Sequence, residues 1–144
     1  MISVDTNLLV YAQDSRSPQH VGARSFLLDH AGDRDFALSE FVLVELYCVL
    51  RSPAVLTNPL DSVRAVEIVE RYRGNPLWNI IDYPVPVMSS VWEKAAAPRF
   101  ARRRIFDVRL ALSLRAAGVT QFATVNTADF TDLGFDRVWN PLDE

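Results

Sequence analysis

Short apolar runs alternate with longer segments of helical period along the whole chain, and this restricts the possible folds most. The runs ISV, DFALS, NIIDYP, QFATVN and DRVWN read as strands. Between them, TNLLVYAQ, SPQHVGARSFLLDHAG, SEFVLVELYCVLR, DSVRAVEIVERYRG, VMSSVWEKAAA and RIFDVRLALSLRAAG read as helices. Their punctuation is specific. Ser17 is expected to cap the second helix, with Pro18 at its first position and Gly32 just past its end. Ser39 is expected to cap the third helix, which should end before Pro53. The fourth should run from Asp61 to Gly74, with Val63, Val66, Ile68 and Val69 toward its buried side. Gly118 should close the helix that begins near Arg104. Strands alternating with helices predict an α/β fold with a mostly parallel sheet. In such sheets crossovers are right-handed and ligands gather at the carboxyl ends of the strands. At 144 residues, the expectation is one domain spanning residues 1–144.

The stretch ISVDTNLLVYAQD sets Asp5, Thr6 and Asn7 between an apolar strand and an apolar helix. Polar groups in such surroundings need either a local hydrogen-bonding role or a ligand. Asp5 could simply cap the following helix. Glu45 is harder to place. It sits within FVLVELYCVL, and at helical spacing shares a face with Phe41, Val42, Cys48 and Val49. No Lys or Arg lies one helical turn away to pair with it. Otherwise it must snorkel from the helix edge. Asp107 repeats the pattern beside Leu110, Ala111 and Leu114, or else is a first-turn acid favoured by the helix dipole. Asp129 follows the strand QFATVN, where NTADF could also be a plain turn.

Four acids in strand-end or apolar positions suggest one negatively charged cluster. Carboxylates packed closely repel unless protons or cations intervene. Cys48 is the lone cysteine, and His20 and His30, the only histidines, lie in no metal-binding spacing. The fitting cations are therefore hard ones, Mg²⁺ or Mn²⁺. Such ions bridge phosphate oxygens and activate water. In this reading Asp5 binds metal, while Thr6 and Asn7 orient it or the substrate. The net charge of −3 excludes a molecule that is basic throughout, so any nucleic-acid site is a local basic patch or one charged by metal. Asp5 interrupts any signal peptide, and no apolar stretch has the length of a membrane helix, so a cytoplasmic protein without membrane contact is expected.

Four motifs, in order, carry a family likeness. VDTNLLVY resembles the first signature of PIN-domain nucleases. SEFVLVELYCVLRSPAVLTNPL looks like their second acidic helix, in the form seen in the VapC toxins of bacterial toxin–antitoxin pairs. IFDVRLALSLRAAGVTQFATVNTADF is similar to the family's D-A-x-L-A … T-x-N-x-x-D-F stretch, and WNPL fits the same subgroup. The likeness spans Ile2 to Leu142, with the middle, residues 61–98, matched only in pattern. Val108 replaces the usual small Ala, and Arg109 follows it.

The resemblance implies a PIN-like three-layer fold, its central sheet of about five short strands flanked by helices. It implies metal-dependent endoribonuclease activity on RNA of the tRNA or rRNA class, a homodimer, and a VapB-like antitoxin that blocks the site. It matches Asp5, Glu45, Asp107 and Asp129 to the four acidic positions. Asn7, Thr124 and Asn126 match the accompanying polar ones. Asp5 and Asp107 are then expected as direct metal ligands. Glu45 would ligate or orient the attacking water, and Asp129 would act through water or at a second metal.

Arg99, Arg102, Arg103 and Arg104 precede Asp107 and could hold RNA phosphates, or simply form a solvated loop. Trp92, Phe100 and Phe106 read more naturally as core or dimer packing than as base-stacking platforms. Two other readings stand beside the nuclease. One is a catalytically weak PIN-like RNA-binding or interaction module. The other is a phosphatase with Asp5 as nucleophile, although such enzymes usually carry a second Asp where Asn7 stands.

Overall fold

A computed structural model describes residues 1–143. Five strands form one parallel sheet: β1 (Ile2–Val4), β2 (Phe36–Ser39), β3 (Asn79–Ile81), β4 (Gln121–Ala123) and β5 (Arg137–Trp139). Their order is β3-β2-β1-β4-β5. The chain builds outward from β1 to β3, then returns to the other side of β1. The strand direction of travel therefore reverses between β1 and β4, which pair through Ile2 with Gln121 and Val4 with Ala123. Crevices for ligands form at such reversals, outside the carboxyl ends of the strands.

Among the described residues, six α-helices flank the sheet: α1 (Thr6–Gln13), α2 (His20–Asp29), α3 (Glu40–Leu50), α4 (Ser62–Arg73), α5 (Val87–Ala95) and α6 (Arg104–Ala116). α1 packs on α2 and α3, α3 on α4, and α5 on α6. Val4, Leu8, Leu9, Phe36, Leu46 and Phe122 are wholly buried at the centre of the core. Short strands suffice because both sheet faces are covered.

Most caps follow the sequence. Ser39 Oγ accepts from Phe41 N at 3.1 Å, and Asp61 Oδ1 from Arg64 N at 2.8 Å. Gly118 ends α6 with φ +96°, a conformation costly to other residues. Two expectations need correction. α2 begins at His20, not at Pro18, because Ser17 closes a local turn: its Oγ accepts from Gln19 N and donates to Gln19 Oε1. On α4 the buried stripe is Ala65, Ile68, Val69 and Tyr72, at helical spacing, and Val63 and Val66 face outward. Of the three aromatics expected in core or dimer packing, Phe100 packs against the core, while Trp92 and Phe106 are exposed, which leaves them the dimer alternative. No helix among the described residues is long and apolar enough to cross a membrane.

Candidate active site

Asp5 leaves β1 at the reversal point and serves two elements at once. Its Oδ1 accepts from Thr6 N at 2.8 Å, capping α1 as the simplest sequence reading expected. Its Oδ2 accepts from Thr124 Oγ1 at 2.7 Å and from Asn7 Nδ2 at 3.3 Å. Thr124, fully buried just past β4, accepts in turn from Asn126 N at 3.0 Å. The hydroxyl thus ties the end of β1 to the end of β4, where Asp5 N also donates to Ala123 O at 2.9 Å.

On the next helix, Thr6 Oγ1 donates to Glu45 Oε1 at 3.0 Å. Glu45 and Asp107 are each half-buried, on α3 and α6. Asp129 lies exposed at the end of a single 3₁₀ turn, Thr127–Asp129. All four acids line one cavity of about 330 Å³, together with Thr6, Asn7 and Asn126. Tyr11, Val49, Val55 and Phe130 add an apolar wall that the sequence reading did not assign to a site. Two larger cavities, of about 380 and 480 Å³, lie elsewhere among the described residues, and neither gathers four acids.

The electrostatics follow from that crowding. Burial pushes the Asp5 carboxyl up from its ordinary value, against its hydrogen bonds from Thr124 and Thr6; Asp129 pushes it further up. Glu45 is raised by burial and by Asp5 and Asp107, with the Thr6 hydrogen bond opposing. Asp107 is raised to about 6 by burial, Asp5 and Asp129, while Arg104 holds it down. Asp5, Glu45 and Asp107 therefore each gain from a proton or a cation in the cavity.

Asn7 supplies a further sign. Its Nδ2 faces Asp5 Oδ2 and Thr124 Oγ1, since the reverse orientation would set its amide oxygen against a carboxylate. Its Oδ1 is buried and has no hydrogen-bond partner. An orphaned amide oxygen beside four carboxylates is an oxygen donor set suited to a hard divalent cation. Among the described residues no three Asp, Glu, His or Cys side chains already converge into a coordination shell. The acids share a cavity rather than a point, so binding would require side-chain movement.

The arginines divide. Arg104 pairs with Asp132 at 2.7 Å and lies near Asp107. Arg99 lines a separate cavity with Lys94, a residue the sequence reading did not single out. Arg102 and Arg103 are exposed and line neither cavity. Arg109 points elsewhere, its guanidinium over the rings of Phe41 and Tyr83 at 5.1 and 4.7 Å.

Known proteins resemble this chain over nearly its whole length. The PIN domain family matches residues 2–136. Ribonuclease VapC24 of Mycobacterium tuberculosis is 51% identical over 142 residues, which cover 99% of this chain and 97% of that protein. A crystal structure of Mycobacterium tuberculosis VapC20, described as a sarcin-ricin loop cleaving toxin, superposes with a TM-score of 0.69 at 17% identity, covering 94% of this chain and 96% of that one. A toxin–antitoxin complex from Klebsiella pneumoniae gives a TM-score of 0.62 at 17% identity, covering 98% of each chain.

Proposed function

We propose that this chain, which belongs to the PIN domain family, is a divalent-metal-dependent endoribonuclease and the toxin of a toxin–antitoxin pair. The observation that carries this is the cavity at the β1–β4 reversal, where four acids and the orphaned Asn7 Oδ1 meet. The full-length likeness to a protein named a ribonuclease supports it, as does the fold shared with a toxin–antitoxin complex. The most compatible cation is Mg²⁺ or Mn²⁺, which Asp5 and Asp107 would hold, with Glu45 and Asp129 as further oxygen donors. When bound, such an ion stabilises charge on the phosphoryl oxygens and lowers the pKa of water.

The chain's own residues do the rest. Asp5 is fixed by four elements of structure at once: its own cap, Thr124, Asn7 and the β4 backbone. Such fixing limits the reorganisation needed at the moment of reaction. Glu45, oriented by Thr6 and raised in proton affinity, accepts a proton from the water that attacks phosphorus. The P–O bond opposite the incoming oxygen breaks, and the leaving ribose oxygen is reprotonated from solvent.

We read residues 1–144 as one domain. The exposed Trp92, Val85 and Phe106 give a second copy apolar surface to bury. A VapB-like antitoxin is the expected partner. The test is cleavage of total RNA by the purified chain freed of antitoxin. Cleavage should vanish with EDTA and return with Mg²⁺ or Mn²⁺. Activity that survives thorough chelation and the Glu45→Gln change would sink this reading.

A further inference from the structure

An RNA nuclease whose cavity holds four acids needs cations nearby to receive a polyanion. Beside the catalytic cavity lies a second one of about 480 Å³, at the join of α5 and α6. The two are neighbours along the chain in two places. Asp107 lines the first and Val108 the second. Likewise Asp129 and Phe130 line the first, and Asp132 and Leu133 the second.

The second cavity carries a small excess of positive charge. Lys94, Arg99 and Arg104 line it against Glu93 and Asp132. Asp132 is already occupied by Arg104 at 2.7 Å and lies within the field of Lys94. Among the described residues, neither Lys94 nor Arg99 makes an ion pair. Arg104 is thus held in place by Asp132 with guanidinium N–H groups to spare. Arg99 is also in an unfavourable backbone conformation, the only described residue other than glycine with positive φ, at 65°. A turn chosen for geometry alone would favour Gly or Asn there. An Arg retained at strain suggests that its side chain has a use.

We propose that this basic cavity is a phosphate subsite, in which Lys94, Arg99 and Arg104 hold a backbone phosphate of the RNA flanking the cleaved bond. The proposal rests on the ribonuclease reading. It revises the expected arginine contacts: Arg99 and Arg104 stay, Lys94 joins, and Arg102 and Arg103 drop out. Phosphate is the fitting ligand because the free donors are all cationic N–H groups and the cavity adjoins the cleaving acids.

The test is binding of a fluorescein-labelled single-stranded RNA oligonucleotide in EDTA across a salt series, with thermal melts of the same proteins. Arg99→Gly relieves the strain, so its melting temperature should stay level or rise. Its affinity should nevertheless fall severalfold, with the log–log salt slope reduced by about 0.7. Lys94→Gln should show the same loss of slope. Wild-type slope and affinity in both variants overturns the subsite, as does a wild type that binds no RNA. A binding loss that merely tracks a lower melting temperature in both variants also overturns it. Cleavage by the wild type with Mg²⁺ separates the two ideas. If it cleaves while the variants bind normally, only the subsite fails. If it binds through these residues yet cleaves nothing, the ribonuclease reading fails and the subsite stands.

Discussion

At the residue scale, Asp5 shows that a structural role and a chemical one can share a carboxylate: one oxygen caps α1 and the other meets Thr124 and Asn7. The two roles respond differently to Asp5→Asn. Asn caps nearly as well as Asp, so the cap survives. Removing a charge also relieves the repulsion among the acids. The metal-free variant should therefore melt no lower than the wild type while RNA cleavage is abolished. An active Asp5→Asn protein would refute the metal-site reading. Thr124→Val makes the converse case. It keeps the shape of a buried side chain but leaves Asp5 Oδ2 and Asn126 N without that hydroxyl. Denaturant unfolding should reveal a loss of about 1–3 kcal/mol, with reduced cleavage. Thr124→Ser, which restores the hydroxyl, should recover most of both. Glu45 and Asp107 were legible from sequence because an acid on an apolar helix face is costly without a purpose. Thr124 was legible only through the family likeness, since a Thr at a strand end is ordinary. Lys94 was not legible: the basic cavity it lines is completed by Arg104 and Val108 of α6 and by Asp132 and Leu133 after β4, brought there by the fold.

At the scale of elements, apolar runs and helical period locate the five strands and six α-helices described, while the helix faces are harder to read. α4 carries valines on both sides, so apolar residues alone could not identify its inner stripe. Ala65, wholly buried, marks that stripe, and Val63, 66% exposed, marks the outside. The pair Val63→Lys and Val66→Lys should change stability by no more than about 0.5 kcal/mol each, as surface substitutions do. Ala65→Leu should cost about 1–3 kcal/mol by overpacking against the core. Urea titrations of the three variants would decide it, and a large loss at Val63 would return that residue to the core. The start of α2 was misread for a different reason. Ser17 satisfies its hydrogen bonds in a turn with Gln19 before the helix begins, and a cap-like sequence does not distinguish the two.

At the scale of the whole molecule, the acid cluster links folding to protons and to metal. Asp107 rises from 3.8 to about 6 on folding, and Asp5 and Glu45 rise as well. A raised carboxyl binds its proton more tightly in the folded chain than in the unfolded one. Its contribution is therefore fully present below the unfolded value and lost as pH rises through the folded one. For Asp107 that window runs from 3.8 to about 6. Asp33 and Asp132 are lowered instead and pull the other way, but both are exposed enough for solvent to screen them. In EDTA the melting temperature should accordingly fall as pH rises across that window, and Asp107→Asn should flatten the fall. Metal reverses the trend. A cation that binds only the folded chain stabilises it, by about 2.7 kcal/mol at a hundred times its dissociation constant. Protons compete for the same carboxylates, so Mg²⁺ should raise the melting temperature well above the Asp107 window and hardly at all near its lower end. Cleavage should fade over the same range as Asp107 takes up its proton. The profile is read by thermal melts with EDTA or Mg²⁺ across the pH series, beside Asp107→Asn. If wild type and variant trace the same curve in EDTA, Asp107 does not share a charged cavity with Asp5, and the site must be redrawn around another set of residues.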